Sequence, residues 1–122
     1  MKENWLEILK GAGVDTEGAI KRFCGKEVLY KRFVSQFLTD ENFQKAKEAI
    51  SIPDWKLYAS TIHALKGVTG TLGFQDLFRI TSQIMEDLRE DRYEPAEKLF
   101  PELEENYQKI SAALKQAFEN EE

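Results

Sequence analysis

Apolar residues recur at intervals of three and four along almost the whole chain, and this periodicity constrains the fold more than any other feature. Such spacing places apolar side chains on one face of an α-helix, whereas no segment alternates cleanly enough to predict a β-strand. The chain has 122 residues, 42% of them hydrophobic, which suffices for one core. We therefore predict a single all-α domain over residues 1–122.

Glycine and capping residues predict two short helices at the start of the chain. The first contains Trp5 and ends near Gly11, because glycine is favoured just beyond the last turn of a helix. Asp15 or Thr16 can cap the second helix, which Gly25 closes. We expect these short helices to pack at one end of a bundle formed by the longer ones.

Longer amphipathic helices follow. One begins near Lys26, and residues 39–42 either bend it or divide it in two. A long helix starts near Trp55, directly after a proline and a capping aspartate, and Gly73 ends it. The next covers residues 74–90, and the last runs from position 94 onward with a kink at Pro101. Four such helices with short links predict an antiparallel up-down four-helix bundle.

The same apolar stripes predict the core. In the helix that begins near Lys26 the inward positions are Leu29, Phe33 and Phe37. In the helix that begins near Trp55, the spacing of three then four continues through several glycines. Aromatic residues at helical spacing are expected to be buried; they include Phe33, Phe37, Phe78 and Tyr107.

Charge and composition exclude several classes of function. The net charge of −5 comes from acidic residues spread along the chain, so we expect no nucleic-acid partner. No apolar segment is long enough for a membrane span or a signal peptide, which predicts a cytoplasmic protein. A lone Cys24 and a lone histidine provide neither a disulfide nor a metal-ligand spacing. We expect a monomer without a metal.

The single histidine, His63, is predicted to be open to a large partner. It follows a residue of the buried stripe by one position, so it lies about 100° around the helix, on its flank. Helical side chains lean toward the N-terminus, so residues one turn later would cover the ring. Gly67 and Gly70 remove that cover, and Ala59 and Ser60 keep the preceding turn small. These two glycines lie outside the buried stripe, so close packing does not readily explain them.

Lys66 is the one long side chain on this cleared face, and its ammonium can reach a group carried by the imidazole. Histidine is largely neutral and nucleophilic at cytosolic pH. Phosphoryl transfer mainly requires in-line positioning and charge neutralisation, so His63 and Lys66 suffice for one side of the reaction. The rest of the site would come from a partner. We do not expect the glycines of residues 67–73 to form a nucleotide-binding loop, because no strand precedes them and the lysine–serine/threonine ending of such a loop is missing.

The residues HALKG (63–67), followed by GTLG (70–73), resemble the signature of histidine-containing phosphotransfer (HPt) domains. The resemblance extends more loosely to residues 13–38, to the helix start at Asp54 and to the helix after Gly73. It implies a four-helix bundle in which the histidine accepts a phosphoryl group from a receiver-domain aspartyl phosphate. The group then passes to the aspartate of another receiver.

By the same resemblance, Lys66 would steady the phosphoryl group and Gly67 would give the partner access. The domain would be a phosphotransfer intermediate and not an enzyme, with no ATP site and no cofactor of its own. Its partners would be receiver domains of response regulators or a hybrid sensor histidine kinase. We expect the receiver to dock on a patch of small residues around the histidine, which residues of the third helix would extend; the patch comprises Ala59, Ser60, Gly67 and Gly70.

One position departs from the family pattern. Many members place a glutamine or glutamate on the next helix to hold the second nitrogen of the imidazole, and the aligned residue here is Met85. A methionine cannot supply that hydrogen bond. Ser82 and Glu86 are the candidates to orient the ring instead, with Gln83 or a water molecule as further options.

A second function remains open from the sequence. The chain could be a helical docking module that binds receiver domains without being phosphorylated. The presence of both His63 and Lys66 favours the phosphocarrier.

Overall fold

A computed structural model describes residues 4–119, which are helical throughout apart from short links, and this confirms the all-α class. Residues 1–3 and 120–122 of the predicted domain lie outside the described range. No helix within that range is both long and apolar enough to cross a membrane. The α-helices, numbered in chain order, are α1 (Asn4–Gly11), α2 (Thr16–Arg22), α3 (Glu27–Gln36), α4 (Asn42–Ser51), α5 (Trp55–Leu72), α6 (Gln75–Arg89), α7 (Tyr93–Lys98) and α8 (Phe100–Phe118).

The helix α5 lies at the centre of the fold. It packs extensively on α4 and α6, and it also contacts α2 and α3. The links on either side of α5 are only two or three residues long, so α4 and α6 run antiparallel to it. The C-terminal helix α8 packs on α1 and α6. The helix α5 is therefore held by helices from both halves of the chain.

The predicted ends of α5 are confirmed. Asp54 caps its first turn by accepting a hydrogen bond from the Leu57 N–H at 3.0 Å. Gly73 ends the helix in the left-handed conformation, with φ of 85°. A Cβ at Gly73 would also lie 2.5 Å from the carbonyl oxygen of Asp15, so both the backbone conformation and the close approach require glycine there.

Side chains from α2 and α3 bind the last carbonyl groups of α5, which have no partner within the helix. The Arg22 guanidinium donates to the carbonyl oxygens of Gly70 at 2.7 Å and Thr71 at 3.2 Å. The hydroxyl of Tyr30, which is fully buried, donates to the Leu72 carbonyl oxygen at 2.8 Å. These bonds attach the N-terminal part of the chain to the C-terminal end of α5.

The third amphipathic segment divides in two, and its buried face differs from the prediction. A 3-10 turn, Phe37–Thr39, separates α3 from α4. Tyr30 and Val34 face the core of the fold, whereas Phe33 is 43% exposed. The core prediction is therefore wrong for Phe33, because the bond from Tyr30 to α5 directs the neighbouring face of α3 inward.

The predicted burial of Phe37 is confirmed. Two other aromatic residues of the predicted core, Phe78 and Tyr107, are not fully buried. Phe78 is 41% exposed, because its ring lies against the surface of α5 at Gly70 rather than inside the bundle. The core prediction for Phe78 is wrong. Tyr107 is half-buried and stacks on the ring of Phe43, with 4.0 Å between the ring centroids.

The C-terminal segment is two helices and not one kinked helix. The chain breaks at Leu99, between α7 and α8. Pro101 lies in the first turn of α8, where its missing N–H costs no hydrogen bond and its fixed φ suits the helix. The predicted kink is therefore a complete break, and Pro101 begins a helix instead of bending one.

Candidate functional site

His63 lies on the central helix α5 and is exposed. Lys66 and Gly67 follow at three and four positions, so they share a face with the imidazole. Within residues 4–119, no group forms a hydrogen bond with the imidazole, and no carboxylate pairs with the Lys66 ammonium. The structure thus brings the predicted histidine, lysine and glycine together, with both charged or nucleophilic groups available to a ligand.

An open groove of about 920 Å³ lies beside His63, between α5 and the segment from the end of α2 to the start of α4. Its wall is mostly apolar. The lining residues are Phe23, Phe33, Gln36, Phe37, Thr39, Asp40, His63, Ala64, Gly67, Val68, Thr71 and Leu72. The exposed Phe33 therefore belongs to a surface next to the histidine, which is why it has no place in the core.

The two glycines near the histidine differ in their surroundings. A Cβ at Gly67 would meet no heavy atom within 4 Å, so the helix is open there. A Cβ at Gly70 would lie 2.9 Å from the Phe78 ring, which is tighter than real Cβ contacts allow. Contrary to our expectation, packing between α5 and α6 explains why position 70 is a glycine. Of the two, only Gly67 is not explained by packing.

The other predicted docking residues lie outside the groove. Ala59 is half-buried, and Ser60 is exposed with its hydroxyl donating to the Leu57 carbonyl oxygen at 3.1 Å. Neither these two residues nor Gly70 lines the groove, whereas Gly67 does.

Sequence reasoning missed most of the groove wall. Ala64, Val68 and Thr71 follow His63 on one side of α5, and this stripe of short side chains is a signal that the sequence contains. The contribution of Phe23 and Phe33 has no comparable local signal, because it depends on how α2 and α3 pack against α5.

The helix register brings Met85 level with His63 on the neighbouring helix. The contact between Gly70 and Phe78 sets the register of α5 against α6. His63 precedes Gly70 by about two helical turns, and Met85 follows Phe78 by about two turns. Because the helices are antiparallel, these two steps bring the backbone of Met85 level with that of His63. Met85 is half-buried and packs against the core.

Within the described residues, the side chains predicted to orient the imidazole have other hydrogen-bond partners or none. The Ser82 hydroxyl oxygen is buried and has no hydrogen-bond partner in the described part of the chain. The Glu86 carboxylate accepts a bond from Arg89 at 2.8 Å, on the exposed surface. The Gln83 amide donates to the buried Asp87 carboxylate at 3.1 Å. None of these side chains bonds His63 in this structure.

The fold and the site define an all-helical domain that presents an exposed histidine at the edge of an apolar groove. Residues 4–119 contain no group of three or more histidine, cysteine, aspartate or glutamate side chains placed to hold a metal ion. The family model described as Hpt domain matches residues 32–113, which is more than half of the chain and includes His63. The chain therefore belongs to the Hpt domain family. Domains of this family are phosphocarriers that interact with receiver domains in phosphorelays.

No curated protein and no solved structure matches the chain significantly. The family assignment thus rests on the match over residues 32–113, and the matched region begins within α3. Both α1 and α2 lie before it, as does the groove residue Phe23, which follows α2 directly.

Proposed function

We propose that this protein is a phosphocarrier in a multistep phosphorelay. His63 accepts a phosphoryl group from the aspartyl phosphate of one receiver domain and passes it to the aspartate of another. The observation that carries this proposal is the exposed imidazole of His63, which has no bond to its own protein within residues 4–119 and stands at the edge of a groove. Membership of the Hpt domain family supports it.

The chemistry needs little from this chain. A neutral ring nitrogen of His63 attacks the phosphorus, a nitrogen–phosphorus bond forms, and the phosphorus–oxygen bond to the aspartate breaks. The electron pair of that bond leaves with the aspartate carboxylate, and the ring keeps the proton on its other nitrogen. Lys66, on the same face of α5, neutralises part of the phosphoryl charge. Any magnesium and the remaining charge neutralisation come from the receiver.

The receiver approaches over Gly67, where no side chain stands in its way. We propose that it covers the groove on one side of His63, and that Ala59, Ser60 and Gly70 face it on the other. The absence of a side chain at Gly67 lets the acidic pocket of the receiver come within bonding distance of the imidazole.

The domain as a whole is proposed to be a monomeric, cytoplasmic unit over residues 1–122. Its core is an antiparallel up-down four-helix bundle of α4, α5, α6 and α8, with the short N-terminal helices against one end. It has no ATP site and binds neither nucleic acid nor a membrane, so its phosphoryl group comes from receiver domains or a hybrid sensor histidine kinase.

The test is transfer from a phosphorylated receiver. The protein is incubated with a receiver domain labelled with radioactive phosphate, and the product is analysed for label that is labile in acid and stable in base. We expect this label on the protein and none on the His63→Gln variant, which should keep the same circular dichroism spectrum. A folded protein that binds the receiver and remains unlabelled would contradict the proposal.

A second function, receiver docking without phosphorylation, is supported by one observation. No side chain of residues 4–119 bonds the imidazole, and Met85, which the helix register brings level with His63, has no polar group that could hold the ring. Binding of a receiver, measured by calorimetry, together with a lack of label on His63 would favour this docking module.

A further inference from the structure

The groove beside His63 carries one carboxylate among its lining residues within the described range, that of Asp40. Asp40 is half-buried and follows the 3-10 turn that separates α3 from α4. Counting back along α4 and forward along α5 from the link between them brings Asn42 level with about Ala64, and Asp40 lies two residues beyond Asn42, toward the C-terminal end of α5. Asp40 therefore lies about one helical turn, roughly 6 Å along the axis of α5, from His63.

The structural role of Asp40 does not require a charge. One of its carboxylate oxygens accepts a hydrogen bond from the Asn42 backbone N–H at 2.8 Å, in the first turn of α4. Asparagine or serine would make the same bond, because either supplies an oxygen acceptor at a helix start. The helix dipole also favours a negative charge at the start of α4, and the carboxylate lines the groove at the same time, where it can attract a cation that covers it.

The charge of Asp40 does not serve the phosphoryl group either. A carboxylate has the same sign as the phosphoryl group on His63, so the two repel each other across the groove. Lys66 is the cation on the face of the histidine. The group that this carboxylate can attract is a cation of the protein that covers the groove.

We propose that Asp40 is a specificity-determining residue, which selects receiver domains that place a lysine or arginine over this part of the groove. This inference rests on the proposed phosphocarrier function. An apolar wall gives affinity for many receivers, whereas a single half-buried carboxylate discriminates between them by charge. A receiver with a basic side chain there gains an ion pair, and a receiver with an acidic one is repelled from the groove.

The test measures phosphotransfer and binding for a receiver domain that carries a basic residue in its docking surface and is phosphorylated with acetyl phosphate. Asp40→Asn keeps the bond to Asn42 and removes the charge. We expect it to lower the second-order rate constant by about two- to fivefold and to weaken its dependence on salt. The rate at saturating receiver should not change, because Asp40 does not touch the reacting atoms.

Charge reversal gives a sharper result. Asp40→Lys should lower the second-order rate constant by about tenfold or more, and a receiver whose basic residue is replaced by glutamate should restore it. Asp54→Asn is the matched control, because it changes a helix-capping aspartate outside the groove. This control should leave transfer unchanged.

The proposal is overturned if Asp40→Asn and Asp40→Lys both transfer at the rate of the unchanged protein, or if both lower only the rate at saturation. Calorimetric binding of the same receiver separates this outcome from failure of the phosphocarrier function. If the protein binds the receiver but is never labelled, the carrier function is wrong, and the order of affinities among the Asp40 variants still decides the role of Asp40.

Discussion

The backbone of Gly70 on α5 lies directly against the ring of Phe78 on α6, so closely that a Cβ at position 70 would be 2.9 Å from two ring carbons. This contact sets the register of the helix that carries His63 against its neighbour. The nearby Gly67 has no such contact. The two glycines lie within one turn of each other, but packing excludes a side chain only at Gly70. Substitution of each glycine can therefore separate the two cases.

Alanine at Gly70 should destabilise the fold, and alanine at Gly67 should stabilise it. We expect Gly70→Ala to lower the free energy of unfolding by about 1–3 kcal/mol, because the Phe78 ring has to move away. Gly67→Ala should raise it by up to about 1 kcal/mol, because alanine is the better helix former and meets open space. Urea unfolding measures both. Equal effects of the two substitutions would show that Phe78 does not limit position 70.

A large side chain at Gly67 should slow transfer without unfolding the protein. Gly67→Gln places a flexible side chain beside His63, where the receiver approaches. We expect a reduced rate of labelling from a phosphorylated receiver, while the urea midpoint stays at or above that of the unchanged protein. Gly67→Ala serves as the size control and should transfer at a rate close to normal. Unchanged transfer by the glutamine variant would refute the role of Gly67 in access.

The ammonium of Lys66 should matter for transfer and not for folding. It has no carboxylate partner within residues 4–119, so its removal breaks no ion pair there. We expect Lys66→Ala to lower the transfer rate by about tenfold. This effect is smaller than that of removing a hydrogen-bond donor from a site that excludes water, because Lys66 is only partly covered. Lys66→Arg should retain most of the rate. The control is Lys109→Ala on α8, and an equal loss in that variant would indicate a general charge effect.

A polar side chain at Met85 should fix the orientation of the imidazole. The helix register brings Met85 level with His63, so we expect a glutamine there to bond a ring nitrogen, whereas leucine has no polar group. We expect Met85→Gln to shift the ratio of the two imidazole tautomers by about two- to tenfold, the equivalent of one ordinary hydrogen bond. Nitrogen NMR of the labelled histidine reads this ratio. If Met85→Leu and Met85→Gln give the same spectrum, the two side chains do not meet.

Alkaline pH should destabilise the protein through two buried phenols. Burial raises the pKa of both Tyr30 and Tyr58. The folded state thus favours the neutral phenol, so this stabilisation is complete below the unfolded tyrosine pKa of about 10 and is lost as the pH rises toward the higher folded pKa. The free energy of unfolding, measured in urea between pH 8 and roughly pH 11, should fall in the upper part of this range.

The phenylalanine variant tests the cause of that fall. Tyr58→Phe loses the hydrogen bond to the Ala96 carbonyl oxygen, so it should be less stable at neutral pH. Its stability should nevertheless decline less steeply with rising pH, because one buried titrating group is gone. An unchanged slope would mean that Tyr58 does not ionise on unfolding in this range.

How far the sequence alone predicts this protein depends on the range of the interaction involved. The all-α class, the cap at Asp54, the stop at Gly73 and the proximity of His63 to Lys66 follow from residues a few positions apart, whose geometry in a helix is known in advance. These features were predictable for that reason.

Tertiary packing alone decided the rest. Tyr30 is buried in place of Phe33 because it bonds the carbonyl of Leu72, far along the chain. Position 70 needs a glycine because the ring of Phe78, on the next helix, lies against it. The groove beside His63 likewise exists only where α2 and α3 meet α5. Periodicity shows that a helix has an apolar face, but which partners cover that face is set by contacts between distant segments, which no local pattern contains.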